Sequence, residues 1–272
     1  VKKLRKFNII FNNFFPAKNL NKVNSENYYT FINQSIQFNS LFLKNLNPKK
    51  INRIIYSSSA SVYSLDTGSL AMNKDIYASL KLLNEKLLFS FAIEKKVKVF
   101  ICRLYNIYSE KNDNFSIISK ILKIKKNSKI KINNGGSSIR DFININDVSN
   151  IYRKLINYKG SENDILNIGT GKGIRLLDIV NNLNIKRNVK IQNNNYLETD
   201  VAISNNENLF RYIKKYKFLS LGTFFSKKFN KRIMFTENPY LKNINYIKKF
   251  SNGVFIYGAG IAGKQTYEIL KS

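Results

Sequence analysis

The sequence predicts an α/β fold, in which helices cover both faces of a doubly wound parallel sheet. Two short runs rich in Ile, Val and Phe, 53–59 and 97–105, are typical of strands that are buried on both faces. Segments with apolar residues at helical spacing alternate with them, at 25–46 and 75–95. Because parallel strands need long crossover connections, this alternation favours βαβ units over hairpins.

Further strand signals extend the pattern along the chain. An apolar run at 9–15 precedes the first helical segment, and DILNIGTGKG at 164–173 again places glycines after a strand. A Lys- and Asn-rich stretch covers 111–145, and residues 186–250 show no clear periodicity, which predicts a smaller mixed region. Residues 253–272 then predict a fresh strand that runs into a G-x-G-x-x-G loop and the start of a helix.

The helix predicted at 75–91, DIYASLKLLNEKLLFSF, opens with a tyrosine and a lysine four positions apart. Residues at i and i+4 share one helical face, so Tyr77 and Lys81 point the same way. One interpretation is that both are ordinary polar side chains beside an apolar stripe. The stripe that we expect to face the core consists of Leu80, Leu83, Leu87 and Leu88.

The residue inventory excludes several kinds of active site. The 272 residues include no histidine and no tryptophan, and Cys102 is the single cysteine. A Ser-His-Asp triad, a His-ligated metal and a zinc cluster are therefore excluded, and we expect no metal site. One cysteine cannot form a disulfide within the chain, which fits a reducing cytoplasm. Its place in an apolar strand predicts a buried structural thiol.

The formal net charge of +29 raises the question of a nucleic-acid partner. The lysines, however, are scattered along the whole chain among many asparagines and isoleucines, a mixture that an AT-rich coding bias produces. We therefore expect runs such as 125–131 and 226–232 to be solvated faces and predict no nucleic-acid partner, although such a surface suits an anionic small ligand. No stretch approaches about 18 consecutive apolar residues, so we also predict no membrane partner.

Serines at the end of the strand 53–59 supply a third polar group near the tyrosine and the lysine. In IIYSSSASVYS, Ser59 lies just past a parallel strand, at the sheet edge where open α/β folds bind ligands. A free tyrosine has a pKa of about 10, and the ammonium of Lys81 would favour the phenolate form of Tyr77. Ser59 could then hydrogen-bond a substrate hydroxyl while Tyr77 takes its proton. The alternative is a polar exit from the strand.

Five motifs in a fixed order extend this pattern over about residues 7–222: SSSASVY, YASLK, RLYNIYS, IRDFININDV and LNIGTGKGIRLLDIV. Together they resemble the extended short-chain dehydrogenase/reductases, specifically the NAD-dependent nucleotide-sugar epimerases and dehydratases. The resemblance implies a Rossmann-like sheet, NAD or NADP as cofactor, and a nucleotide sugar as substrate. It also implies a catalytic role for Ser59, Tyr77 and Lys81, and cofactor contacts from Tyr77, Lys81 and Ser58.

The same resemblance implies two residues that contact the substrate. Asn106 in RLYNIYS matches the residue that contacts the sugar nucleotide, and Arg140 in IRDF matches the one that binds its diphosphate. A planar guanidinium suits a pyrophosphate. Each has a structural alternative: Asn106 could cap or turn the chain after its strand, and Arg140 with Asp141 could form a surface ion pair.

Departures from the family pattern guide the choice of reaction. Ser64 and Ser109 stand where the family has glycines, which predicts altered turns near the site. The dehydratases of the group carry an Asp-Glu pair where this chain has Ala60 and Ser61, which disfavours a 4,6-dehydratase. We therefore predict a 4-epimerase or a 4-keto reductase. The alternative is a catalytically silent relative that senses dinucleotides or binds other proteins.

The family opens with a strand, a glycine-rich loop and a helix that hold the cofactor pyrophosphate, but residues 1–15 resemble a later strand instead. We therefore expect the chain to be a fragment that binds NAD weakly or not at all. Its one dinucleotide-type loop is YGAGIAGKQ at 257–265, with Gly258, Gly260 and Gly263 as candidate cofactor contacts. This loop either replaces the missing one by permutation or, as we favour, begins a second nucleotide-binding domain.

The predicted domain organisation follows from these assignments. Residues 1–110, with 140–170 returning to them, are expected to form a partial Rossmann-type catalytic domain. Residues 111–139 and 171–250 are expected to form the substrate-binding region, and residues 251–272 to begin a second, truncated Rossmann-like domain. We expect the complete protein to be a cytoplasmic homodimer.

Overall fold

The structure, a computed structural model, describes residues 6–11, 27–67, 72–110, 116–123, 129–184, 190–194, 201–214 and 216–239. Its strands are β1 (Phe7–Phe11), β2 (Ile51–Ser59), β3 (Lys98–Leu104), β4 (Asn106–Tyr108), β5 (Lys129–Asn133), β6 (Ile139–Asn144), β7 (Asp164–Ile168), β8 (Lys172–Arg175), β9 (Lys190–Asn194), β10 (Val201–Ala202) and β11 (Asn238–Pro239). Its helices are α1 (Tyr28–Asn45), α2 (Met72–Lys95), α3 (Ile117–Leu122), α4 (Ile145–Asn157), α5 (Leu176–Asn184), α6 (Glu207–Ile213) and α7 (Leu221–Phe229). None of these described helices is long and apolar enough to cross a membrane.

Four strands form the main sheet, in the spatial order β1-β2-β3-β7, and every neighbouring pair is parallel. The middle of β2 is buried on both sides, because successive side chains of a strand point to opposite faces. Ile54 and Tyr56 pack in one apolar cluster and Ile55 in another, and all three are fully buried. The parallel order confirms the sheet that the alternation of strands and helices predicted.

Helices cover both faces of this sheet. On one face, Leu88 of α2 and Phe42 of α1 pack against β2 and β3. On the other face, Ile151 of α4 and Leu209 of α6 do the same. Cys102 of β3 lies in this second cluster, where burial raises the pKa of its thiol, so the predicted structural thiol is confirmed.

A second, mixed sheet begins with β4, just after β3 ends. β6 is at its centre, with β4 and β10 parallel to it and β8 antiparallel, and β11 pairs antiparallel with β8. Ile121 of α3, Ile179 of α5 and Phe224 of α7 pack with Phe142 of β6 in a separate apolar cluster. Within residues 140–170, β7 is therefore the strand that returns to the main sheet, whereas β6 belongs to the second sheet.

The apolar stripe predicted for α2 is correct at two positions and wrong at two. Leu80 and Leu88 are buried, whereas Leu83 and Leu87 are 40% and 41% exposed. The other buried positions of α2 are Ala78, Lys81, Asn84, Glu85 and Ala92. The helix thus lays polar side chains against the sheet, and each of them needs a partner there.

Candidate active site

The carboxyl end of β2 brings consecutive serines to the edge of the main sheet. Ser57 is buried, and its hydroxyl lies 2.9 Å from the hydroxyl of Tyr152 on α4. Ser59, the last residue of β2, is partly buried, and its Oγ accepts hydrogen bonds from the backbone N–H and the hydroxyl of Ser61, at 3.2 and 2.8 Å. Ser61 lies in the 3₁₀ segment Ala60–Thr67 that directly follows the strand. Ser59 therefore lies where open parallel sheets bind their ligands.

Lys81 extends from α2 beneath this strand end. Its side chain is 4% exposed, and its Nζ donates a hydrogen bond to the backbone carbonyl of Ser57 at 2.8 Å. The ammonium also lies 5.1 Å from the ring centroid of Tyr56 and 5.8 Å from that of Tyr77. Burial lowers the pKa of Lys81 to about 8, although the carboxylate of Glu85 acts in the opposite direction.

Tyr77 lies next to both groups. Burial raises the pKa of its phenol, and a hydrogen bond with Ser59 partly offsets this rise. The lowering expected from Lys81 is not observed, because the loss of solvation dominates. The structure thus brings Ser59, Tyr77 and Lys81 together, with Tyr77 as a neutral phenol.

A buried ion pair lies behind the serines, and the sequence patterns did not predict it. Glu85, one helical turn after Lys81, accepts a hydrogen bond from the hydroxyl of Ser58 at 2.5 Å. It also pairs with Arg103 of β3 through two N–O contacts of 2.6 and 3.0 Å. The hydroxyl of Ser58 is held inside the fold, which argues against its expected cofactor contact. The spacing of a glutamate four positions after a lysine is the one sequence feature that could have indicated a role for Glu85. On an exposed helix face, however, that spacing indicates an ordinary surface ion pair.

Asn106 and Arg140 lie at the amino ends of β4 and β6. Asn106 is exposed, and its side-chain amide donates a hydrogen bond to the backbone carbonyl of Asp141 at 3.1 Å. Arg140 is partly buried, and its guanidinium donates to the carbonyl of the residue before it at 3.0 Å. Ser59, the last residue of β2, is in register with Leu104, the last residue of β3. Asn106 follows β3 two residues later and so lies at the same edge of the main sheet as Ser59. The bond to Asp141 links the side chain of Asn106 to the neighbouring strand β6.

Asp141 is fully buried, so the alternative of a surface ion pair with Arg140 is wrong. Its carboxylate accepts hydrogen bonds from the backbone N–H groups of Thr170, Gly171 and Ser204, and from the hydroxyls of Thr170 and Ser204. Burial raises the pKa of this carboxyl, and these hydrogen bonds act to lower it. The group thus ties β6 to the loop after β7 and to the residues after β10, next to Arg140.

The candidate phosphate-binding glycines Gly258, Gly260 and Gly263 lie outside the described residues. Their expected cofactor contacts therefore stay predictions. Among the residues that the structure does describe, no three His, Cys, Asp or Glu side chains form a group that could hold a metal ion.

Comparison with known proteins identifies the family. The NAD dependent epimerase/dehydratase family matches residues 14–169, which is more than half of the chain. The chain belongs to this family. The matched segment includes the serines of β2, the Tyr-Lys pair of α2, and both Asn106 and Arg140. The epimerase/dehydratase motifs therefore lie on the elements that form the site.

Individual members of the epimerase/dehydratase family are similar over part of the chain. A dTDP-4-dehydro-6-deoxyglucose reductase of Escherichia coli is 30% identical over 183 residues, which cover 64% of this chain and 55% of the reductase. The chain thus spans about half the length of that relative.

Two solved structures show the same fold. One is a UDP-N-acetylglucosamine 4-epimerase from Methanobrevibacter ruminantium M1 in complex with UDP-N-acetylmuramic acid, with a TM-score of 0.62, 17% identity, and coverage of 84% of this chain and 76% of that chain. The other is a UDP-glucuronic acid 4-epimerase from Bacillus cereus in complex with UDP-glucuronic acid and NAD, with a TM-score of 0.58, 17% identity, and coverage of 69% and 63%.

The lowered pKa of Lys81 predicts a stability that depends on pH. In the unfolded chain this lysine titrates near 10.5 and in the folded chain at about 8, so the unfolded state binds more protons between these values. Stability from this group therefore rises with pH across that window. We expect the free energy of unfolding of the wild type, relative to Lys81→Met, to increase by about 2–3 kcal/mol between pH 7 and pH 10.

Denaturant unfolding of the two proteins at both pH values measures this change. Lys95→Met, which removes an exposed lysine at the end of the same helix, is the matched control and should show no such trend. An equal pH dependence in the wild type and in Lys81→Met would contradict the burial of a titrating ammonium at this position.

Proposed function

We propose that this chain carries the catalytic centre of an NAD(P)-dependent nucleotide-sugar epimerase or 4-keto reductase. The observation that carries the proposal is the cluster of Ser59, Tyr77 and Lys81 at the carboxyl edge of a parallel sheet. The cluster lies within the segment that matches the family. Its chemistry needs no histidine, and the chain contains none.

Tyr77 is placed to move the proton of a sugar hydroxyl. In the oxidative direction its phenolate oxygen accepts that proton, and in the reductive direction its phenol returns it to the carbonyl oxygen. Ser59 is hydrogen-bonded to Tyr77 and can donate to the same sugar oxygen, which would hold it beside the phenol. Lys81, whose pKa of about 8 keeps it largely protonated at neutral pH, would add a positive charge beside the phenolate that forms during the reaction, whereas in the free chain burial keeps Tyr77 a phenol.

The nicotinamide half of NAD fits the residues that the structure describes. Tyr77 keeps part of its surface exposed at the sheet edge, and the ammonium of Lys81 lies 5.8 Å from the centroid of its ring, under the same strand end. Tyr77 and Lys81 would therefore hold this half of the cofactor. When bound, the oxidised cofactor supplies a hydride acceptor and a positively charged ring near the phenol.

A nucleotide sugar is the proposed substrate. The relatives support this class, since the names of the reductase and of both epimerases contain a nucleotide sugar, and both epimerase structures hold a UDP-linked ligand. Arg140 and Asn106 are the proposed contacts to it, at the edge where the two sheets meet the site. Ala60 and Ser61 offer no carboxylate for the elimination of water, and the hydroxyl of Ser61 is engaged by Ser59, which supports an epimerase or reductase over a 4,6-dehydratase.

The wider organisation of the protein is also a proposal. We keep the domain boundaries predicted from the sequence, at residues 110, 139, 170 and 250, with residues 251–272 as the start of a second nucleotide-binding domain. A homodimer is supported by exposed apolar side chains on α1 and α2, among them Phe38, Leu41, Leu83 and Leu87, and sedimentation of the purified chain would measure it. The single, buried Cys102 supports a cytoplasmic location.

Replacing Tyr77 by phenylalanine tests the proposed reaction. Tyr77→Phe removes the proton acceptor and keeps the ring, so we expect turnover of nucleotide sugars to fall by about two to four orders of magnitude. NAD or NADP is supplied at high concentration, because the sequence predicts weak cofactor binding by this chain. Turnover is measured on a panel of UDP- and dTDP-sugars and their 4-keto forms. Tyr29→Phe, at an exposed tyrosine of α1, is the matched control and should keep wild-type turnover.

Undiminished turnover in Tyr77→Phe would contradict the assigned proton transfer. Cofactor binding by the wild type without turnover of any sugar in the panel would favour the silent, dinucleotide-sensing relative.

Arg140→Ala tests the assignment of the substrate side. The variant removes a guanidinium that can bind a diphosphate through two charge-assisted hydrogen bonds, so we expect nucleotide-sugar affinity to fall by about tenfold or more while cofactor affinity is unchanged. Calorimetric titrations with each ligand separate the two effects, with Arg211→Ala, an exposed arginine of α6, as control. Loss of cofactor affinity alone would show that Arg140 serves the other ligand.

A further inference from the structure

Glu85 is the one acidic residue on the buried side of α2, within the part of that helix whose side chains are described. It is 2% exposed, and both carboxylate oxygens are engaged. Oε1 accepts hydrogen bonds from the hydroxyl of Ser58 at 2.5 Å and from Nε of Arg103 at 3.0 Å. Oε2 accepts from a terminal guanidinium nitrogen of Arg103 at 2.6 Å. A buried carboxylate held by three donors has a fixed position.

Arg103 extends this network of contacts from Glu85 to Tyr63 and Asn167. Its guanidinium carbon lies 4.6 Å from the ring centroid of Tyr63, whose hydroxyl donates to the side chain of Asn167 at 2.8 Å. Burial acts to lower the pKa of Arg103, but its hydrogen bond to Glu85 and its other interactions with Glu85 and Tyr63 together outweigh burial and raise that pKa, so the guanidinium is charged. The network therefore joins α2, β2, β3 and β7, with the 3₁₀ segment after β2 packed on it.

We propose that the Glu85–Arg103 ion pair positions the reactive groups: Glu85 fixes the serine-bearing end of β2 against α2 and places a carboxylate one helical turn from the ammonium of Lys81. The catalytic meaning of this device rests on the function proposed above. The pair itself touches neither the phenol of Tyr77 nor the hydroxyl of Ser59. It acts through Ser58 and through its field at Lys81.

Glu85 acts on the charge state of Lys81, because its carboxylate raises the pKa of the lysine against the effect of burial. The ring of Tyr77 on α2 and the ring of Tyr56 on β2 also face the ammonium. Arg103 of β3 is joined to this region through its ion pair with Glu85. α1 packs here through the neutral side-chain amide of Asn39, which is bonded to Asn84 of α2. Glu85 thus favours the protonated lysine, and we expect the paired guanidinium of Arg103 to weaken that effect.

Because of this arrangement, removing Glu85 and removing Arg103 should shift the pKa of Lys81 in opposite directions. Removing the carboxylate in Glu85→Gln takes away the negative charge that acts on Lys81 and leaves the guanidinium of Arg103 without its partner, which lowers the pKa of Lys81. Removing the guanidinium in Arg103→Gln leaves the carboxylate without its partner, which raises that pKa. A pair that only stabilised the fold would give two variants of lower stability with no opposed shifts of Lys81.

The experiment is a ¹³C NMR titration of the 272-residue chain that carries lysine labelled at Cε, without substrate or cofactor. Loss of one signal in Lys81→Met assigns the residue. We expect the pKa of Lys81 to fall by about half a unit to one unit in Glu85→Gln and to rise by a similar amount in Arg103→Gln. Arg103→Lys restores the charge and should return the pKa towards the wild-type value. Glu94→Gln, at an exposed glutamate of α2, should leave it unchanged.

Circular dichroism establishes which variants fold. If Glu85→Gln does not fold, the comparison of Arg103→Gln with Arg103→Lys tests the proposal. Shifts of the same sign in the two charge-removing variants, or no shift in folded variants, would overturn the proposal. Turnover is measured on the same proteins in a separate assay. If the two variants show the opposed shifts but no protein turns over a nucleotide sugar, the proposed function fails while the role of the ion pair stands.

Discussion

Burying the ammonium of Lys81 under the end of the main sheet costs free energy that only polar partners close to it can offset. The carbonyl of Ser57 accepts a hydrogen bond from it, the ring of Tyr56 faces it, and Glu85 adds the opposite charge. Two of these partners lie on β2 and one lies on α2, so the ammonium fixes how the strand and the helix meet. Because side chains alternate along a strand, a slip of one residue in β2 would turn its serines to the wrong faces.

A buried carboxylate anchors the neighbouring sheet in a different way. Asp141 has no cation among its bonded partners in the described structure and instead accepts hydrogen bonds from backbone and hydroxyl groups of Thr170, Gly171 and Ser204. These donors come from two loops that follow β7 and β10. The main sheet and the second sheet are therefore joined beside Arg140 by a carboxylate whose burial is offset by neutral donors. The proposed catalytic and substrate-binding sides are thus both held by carboxylates.

The sequence predicted the fold and the grouping of Ser59, Tyr77 and Lys81 because both depend on local order along the chain. Alternating strands and helices indicated the parallel sheet, and five motifs in a fixed order, rather than the serine or the Tyr-Lys pair alone, indicated the cluster. The core of α2 was harder, since a count of apolar residues placed Leu83 and Leu87 inside, whereas polar residues occupy that stripe. The polar stripe is stable because its members meet partners on β2, β3 and α1.

Long-range pairing explains what the sequence patterns missed. Glu85 and Arg103 are 18 positions apart, and nothing in their spacing indicates that they meet in a buried ion pair. Asp141 was a candidate for a surface pair because its partners at 170, 171 and 204 are distant in the chain. The glycine loop at 257–265 was the strongest local cofactor signal, and it lies outside the described residues.

The central claim is that the fold alone assembles Ser59, Tyr77 and Lys81, with the phenol kept protonated by burial. The most direct test is the pKa of Tyr77 in the free chain, measured by ¹³C NMR with tyrosine labelled at Cζ and assigned by the loss of its signal in Tyr77→Phe. The account predicts that Tyr77 titrates above its ordinary value of 10.0, because desolvation outweighs its hydrogen bond with Ser59. A Tyr77 that titrates at or below that value would contradict the account.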